Sequence, residues 1–126
     1  MNKISKISQY LLGISLLVFG TNGFFQFIPA PEFGAEAVAY FQGLGKIMIV
    51  VKALEIVCGL LILSGRFTVL GLSIFAPILA NIILFHLFYA LDSLVPGLVL
   101  SVFWGILVYQ HRKNFAGLMD QPEVAS

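Results

Sequence analysis

Charge is scarce in this chain. Asp, Glu, Lys and Arg together make up 10% of its 126 residues, where a soluble domain carries about a quarter. So few charges cannot cover a water-facing surface, and 60% hydrophobic residues are too many to hide inside a single domain of this length. A lipid solvent removes the conflict, and the mean hydropathy of +1.00 points the same way. The scarcity also leaves no basic cluster able to neutralise a row of phosphates, which excludes nucleic acid as a partner. Cysteine occurs once, at Cys58, so the chain alone can form neither an internal disulfide nor a redox dithiol. Cys58 lies in an apolar run and reads as a packing residue. The two histidines, His86 and His111, fall at opposite ends of the expected spans and leave no ligand set for a metal ion or for a haem with two axial histidines. There is no glycine-rich phosphate loop and no nucleophile elbow.

Long apolar runs are what the sequence does have. A spanning helix needs about 20 mainly apolar residues, and four stretches approach that length, at about 7–28, 45–63, 67–91 and 94–110. Continuous runs rather than short alternating segments predict helices, the form in which a single segment satisfies its own backbone in lipid. The expected fold is all-α: an integral membrane four-helix bundle over residues 1–113, followed by a polar C-terminal tail over 114–126. The first run, to Ile28, is longer than a signal-peptide core of about 7–15 residues and reads as a retained span. Pro29-Ala30-Pro31 ends it, the stretch from Glu32 to Leu44 reads as a loop with room for a short surface helix, and Ser64-Gly65-Arg66 makes a tight turn. Asp92 or Ser93 is a candidate cap for the last span, with Pro96 in its first turn.

Orientation follows from the basic residues. With both termini cytoplasmic, Lys3, Lys6, Arg66, Arg112 and Lys113 lie inside, and the acids Glu32, Glu36 and Asp92 lie outside. Tyr10 and Tyr109 then fall at the inner boundary and Tyr40 and Tyr89 at the outer one, where such rings prefer to sit.

Within those spans stand polar groups that cost free energy unless each has a partner or a use. They are Asn22, Gln26, Lys52, Glu55, Asn81 and His86. All fall in the outer half of the expected bilayer, with Glu55 and Asn81 nearest its middle, so one recess opening outward accommodates the set as a ligand pocket. Asn22 and Gln26 share a face at i,i+4, and Lys52 and Glu55 can touch at i,i+3. Asn81 and His86 are about 140° apart around an ideal helix and cannot both aim at one centre unless the helix bends, for which Pro77 is placed one turn earlier. The simpler reading makes Lys52 and Glu55 a self-neutralising pair, the asparagines interhelical glue, His86 a hydrogen-bonded structural histidine and Trp104 a packing residue.

The run Asn22-Gly23-Phe24-Phe25-Gln26-Phe27-Ile28-Pro29, the stretch from Lys52 to Leu61, and Gly65-Arg66 through Ala76-Pro77-Ile78 to Asn81-Ile82 and Phe85-His86 together resemble the DoxX-like family of small bacterial membrane proteins. The likeness covers about residues 8–113. It implies a four-span protein of the bacterial inner membrane, with quinone as the ligand and subunits of a membrane redox complex as partners; a homo-oligomer is a further candidate. No flavin motif or redox dithiol accompanies it, so an accessory, non-catalytic component is expected ahead of a quinone-linked oxidoreductase. A small proton-coupled transporter using Glu55 and His86, and a purely structural scaffold, are the alternative readings.

Overall fold

The computed structural model describes residues 2–25 and 34–119, and within them the chain is all-helical. The helices are α1 (Lys3–Phe25), α2 (Ala35–Leu44), α3 (Ile47–Leu63), α4 (Thr68–Tyr89), α5 (Val95–Gln110) and α6 (Arg112–Met119), with a 3-10 turn at Leu91–Ser93 before α5. Pro29-Ala30-Pro31, Glu32 and Gln26, to which the sequence reading assigned roles, lie outside the described residues.

Four long helices close a ring: α1 packs on α3, α3 on α4, α4 on α5 and α5 back on α1. Successive long helices run antiparallel. Gln9 of α1 reaches the Ile62 carbonyl late in α3, whereas Gly20 lies beside Ile56 one and a half turns earlier. At the other seam, Ser5 Oγ donates to Gln110 Oε1 at 3.1 Å, so the start of α1 and the end of α5 share one end of the bundle. The turn at Gly65, whose φ of 73° suits a residue without Cβ, closes that same end.

The seam between α1 and α3 is the most extensive and is made by glycine. A Cβ on Gly59 would stand 2.9 Å from the Gly13 carbonyl oxygen, so the two backbones are already as close as side-chain-free residues permit. Leu12, Leu16, Cys58, Ile62, Leu72, Phe75 and Leu107 fill the ring at the Gly65 end. Cys58 is fully buried there, a packing residue. Trp104 Nε1 donates to the Leu72 carbonyl at 3.0 Å and ties α5 to α4.

The exterior is apolar on every long helix. Ile4, Ile7 and Ile14 on α1, Val50 and Leu60 on α3, Leu87 and Phe88 on α4, and Val95 and Val102 on α5 are all exposed. Two helices among the described residues, α1 and α4, are long and apolar enough to cross a membrane, and α5 is apolar but shorter.

Several local features differ from the sequence reading. The short helix allowed for in 32–44 is present as the ten-residue α2, but it is not wholly on the surface: Ala37 is fully buried beside Phe85 and Ala90. Neither Asp92 nor Ser93 caps α5: Leu94 holds the cap position without a side-chain bond, and Ser93 Oγ turns back to the Ala90 carbonyl at 3.1 Å. The first residues of the polar tail are helical: α6 runs from Arg112 to Met119, with Phe115 half-buried against the core.

Candidate functional site

At the end opposite Gly65 the described residues do not fill the ring. A cavity of about 1220 Å³ opens there, resting on Leu16, Ile78 and Leu100 at the edge of the core. Its walls come from all four long helices and from α2. Asn22, Lys52, Glu55, Asn81 and His86 all line it, so the structure brings five of the six sequence candidates to one space; the sixth, Gln26, lies outside the described residues. Apart from these the walls are predominantly apolar, with Val51, Ile82 and Phe85 among them.

Each polar group is held locally. Glu55 projects from the inward face of α3, in line with Cys58 and Ile62 at helical spacing, and is 4% exposed. Lys52, one turn nearer the mouth, donates from Nζ to Glu55 Oε2 at 3.3 Å; its side chain is 22% exposed against 5% for the carboxylate. A buried carboxylate with one cation beside it is stable as a pair and expensive to separate. The ammonium has three donors and gives one to Glu55, which leaves donor capacity toward the cavity.

On α4, His86 Nδ1 donates to the Ile82 carbonyl at 2.8 Å. A carbonyl only accepts, so in the neutral ring the proton sits on Nδ1 and Nε2 is an acceptor. The expected 140° between Asn81 and His86 holds, and the two reach the same cavity because it wraps around this part of α4. Asn81 lies on the flank turned to α3 and α2, where its Nδ2 donates to the Tyr40 hydroxyl at 3.3 Å. Helix α4 continues unbroken through Pro77, which leaves the Ser73 carbonyl without its helical donor.

Helix α2 is the part of the site that sequence reading missed. It touches both α3 and α4 and meets α4 through stacked rings: Phe41 and Phe85 have centroids 4.7 Å apart, Tyr40 and Phe85 5.1 Å, Tyr40 and Tyr89 5.4 Å. Their positions mark Tyr40 and Tyr89 as boundary tyrosines, but nothing in their spacing says that the two rings pack together. A second polar set was also passed over. At the Gly65 end Ser5, Ser8, Gln9 and Thr68 are buried, and the Ile62 carbonyl accepts from Gln9 Nε2 at 2.8 Å and from Thr68 Oγ1 at 3.0 Å. An amide at position 9, inside the expected first span, was the signal for it. Gln9 and Thr68 meet on this one backbone carbonyl and Ser5 on Gln110, so the set serves as a clasp between helices.

Among the described residues no group of His, Cys, Asp and Glu is placed to hold a metal ion. Comparison with known protein families, with curated proteins and with solved structures finds no match for this chain.

Proposed function

We propose that this chain is a four-span protein of the bacterial inner membrane, with both termini cytoplasmic, and that it acts as an accessory component binding an amphipathic small molecule in the cavity beneath α2. The reading of four spans rests on the inverted surface. Apolar side chains face outward on all four long helices, and the buried polar residues face inward; a water-soluble domain tolerates exposed apolar patches of only a few hundred Å². Helices α3 and α5, with 17 and 16 residues, fall at or just under the short end of the spanning range, and such segments are accommodated by local thinning of the bilayer or by interfacial flanking residues.

The observation that carries the binding role is the cavity itself: a large, mainly apolar space with a charged pair on one wall and a histidine on another. Lys52 supplies donors and His86 Nε2 an acceptor, which suits a head group carrying carbonyl and hydroxyl functions. The resemblance to DoxX-like proteins makes a quinone the first ligand to try and a membrane redox complex the natural partner. Catalysis by the chain alone is not part of the reading, since its residues offer no electron carrier.

The test is equilibrium binding of decylubiquinone to the purified protein in phosphatidylcholine vesicles. Saturable one-to-one binding is expected, weakened at least fivefold by His86→Ala, the loss of about one net hydrogen bond. Glu55→Gln should also weaken it, with far-UV circular dichroism unchanged. Binding that is absent, or indifferent to both substitutions, overturns the reading. Substrate flux across the vesicles that disappears in Glu55→Gln would replace it with the proton-coupled carrier.

A further inference from the structure

Helices α3 and α4 are in tight contact near Gly65, where a Cβ on Gly71 would stand 3.1 Å from the Cys58 carbonyl oxygen. Traced toward α2, the same face of α3 carries Val51 and Ile47, seven and eleven residues before Cys58. The facing stripe of α4 carries Ile78 and Asn81. All four of these line the cavity, so the space separates the two helices at this end. Pro77 and Asn81 also line it on this side, and both are exposed; Ala80 and Leu84, exposed as well, continue the strip round to the groove with α5, beside Ser101 and Trp104. Their spacing of i, i+3, i+4 and i+7 makes them one strip of α4. The cavity therefore has a side opening between α3 and α4, in addition to any route at the end of the bundle.

Depth decides what can use that opening. Asn81 is eight residues and Pro77 twelve residues from Tyr89, the last residue of α4. At about 1.5 Å per residue they lie about 12 and 18 Å below the helix end. Glu55, eight residues into α3, lies at about 12 Å as well. With Tyr89 at the interface and a hydrocarbon layer about 30 Å thick, the opening faces acyl chains and is level with the charged pair. Above it, α2 lies across both helices, its rings stacked on Phe85 and its Tyr40 bonded to Asn81.

We propose that the ligand is a hydrocarbon-tailed amphiphile that enters sideways from the bilayer between α3 and α4, under α2. Its head group moves inward to Lys52 and Glu55, and its tail stays in the opening between Val51 and Ile47 of α3 and Pro77 of α4. Because the entrance and the pair share one depth, the head group never crosses the layer of rings that α2 makes with α4. Tyr40 and Asn81 hold α2 against the upper edge of the entrance. Gly45, with φ of 51° and no atom within 4 Å of where its Cβ would be, is the pivot on which α2 joins α3. This inference rests on the binding role proposed above.

The experiment is photolabelling in phosphatidylcholine vesicles with an alkyl benzoquinone that carries a diazirine on its tail, the adducts being mapped by mass spectrometry. Adducts are expected on Ile47, Val51 and Pro77. Untagged alkyl quinone should displace the label at a concentration at least a hundredfold below that needed by the tailless head group. Tyr40→Phe keeps the ring and removes only the hydroxyl that holds α2 to Asn81, so it should raise the association rate by threefold or more. Saturable labelling that maps to α5, to 34–46 or to 91–93, or equal competition by the tailless head group, overturns the sideways entry and leaves the binding role standing. An absence of saturable labelling overturns both.

Discussion

Two glycines in similar helical settings should respond in opposite directions to the same methyl group. Gly59 sits in α3 against α1, where a Cβ would meet the Gly13 carbonyl oxygen at 2.9 Å and the Leu17 side chain at 3.1 Å. Gly105 sits in α5 with no atom within 4 Å of the corresponding position. Both lie inside helices, so alanine gains about 1 kcal/mol of helix propensity at either site, and that gain cancels when the two variants are compared. What remains is the contact. An ordinary carbon to oxygen approach is longer than 2.9 Å by roughly half an ångström, and the obstacle at Gly59 is backbone, which cannot rotate away. The helices must part, and forced overpacking of this kind costs about 1–3 kcal/mol. Gly105→Ala should therefore be more stable than the parent protein, and Gly59→Ala should lie about 1–3 kcal/mol below Gly105→Ala. Reversible unfolding in mixed micelles with increasing sodium dodecyl sulfate, followed by circular dichroism, measures the difference. Equal stability of the two variants would refute the close approach of α1 and α3 on which the ring of four helices depends.

Two further outcomes follow from the charged residues. Lys52→Met leaves the Glu55 carboxylate buried without its cation and should cost about 1–3 kcal/mol in the same unfolding assay, less than a fully buried pair because Lys52 is partly exposed; Lys52→Met combined with Glu55→Leu should recover most of it, and a double variant no better than the single one would show that the pair is not coupled. With Cys58 replaced by alanine, a cysteine at Glu36 should react with an impermeant maleimide added to intact cells, and a cysteine at Lys3 or Lys113 only after permeabilisation; the reverse pattern would invert the proposed orientation.

The all-helical architecture is legible in the sequence because lipid and helix leave the same mark, a long apolar run with polar groups at its ends. The helix ends are legible where chemistry is local, as at Ser64-Gly65-Arg66, where a left-handed glycine closes α3 against α4. A short helix in 32–44 is legible too, but the docking of α2 is not, because its burial depends on Phe85 and Ala90, more than forty residues away. For the same reason the partner of Gln9 is hidden: an amide in the expected first span signals that a partner is needed, but the carbonyl that meets it belongs to α3.

The candidate site shows where spacing stops being a guide. Helical geometry correctly separates Asn81 from His86 by about 140°, and from that alone they belong to different neighbourhoods. Chain spacing carries no information about the size of the space between helices, and a cavity of about 1220 Å³ lets both reach it from opposite flanks of α4. The polar residues are then dispersed: Lys52 and Glu55 pair on α3, Asn81 answers to Tyr40 on α2, and His86 is fixed by its own helix at Ile82. Holding an amphiphile asks for a few polar points spread over an apolar wall. The binding reading therefore predicts that no single polar substitution abolishes binding while several each weaken it.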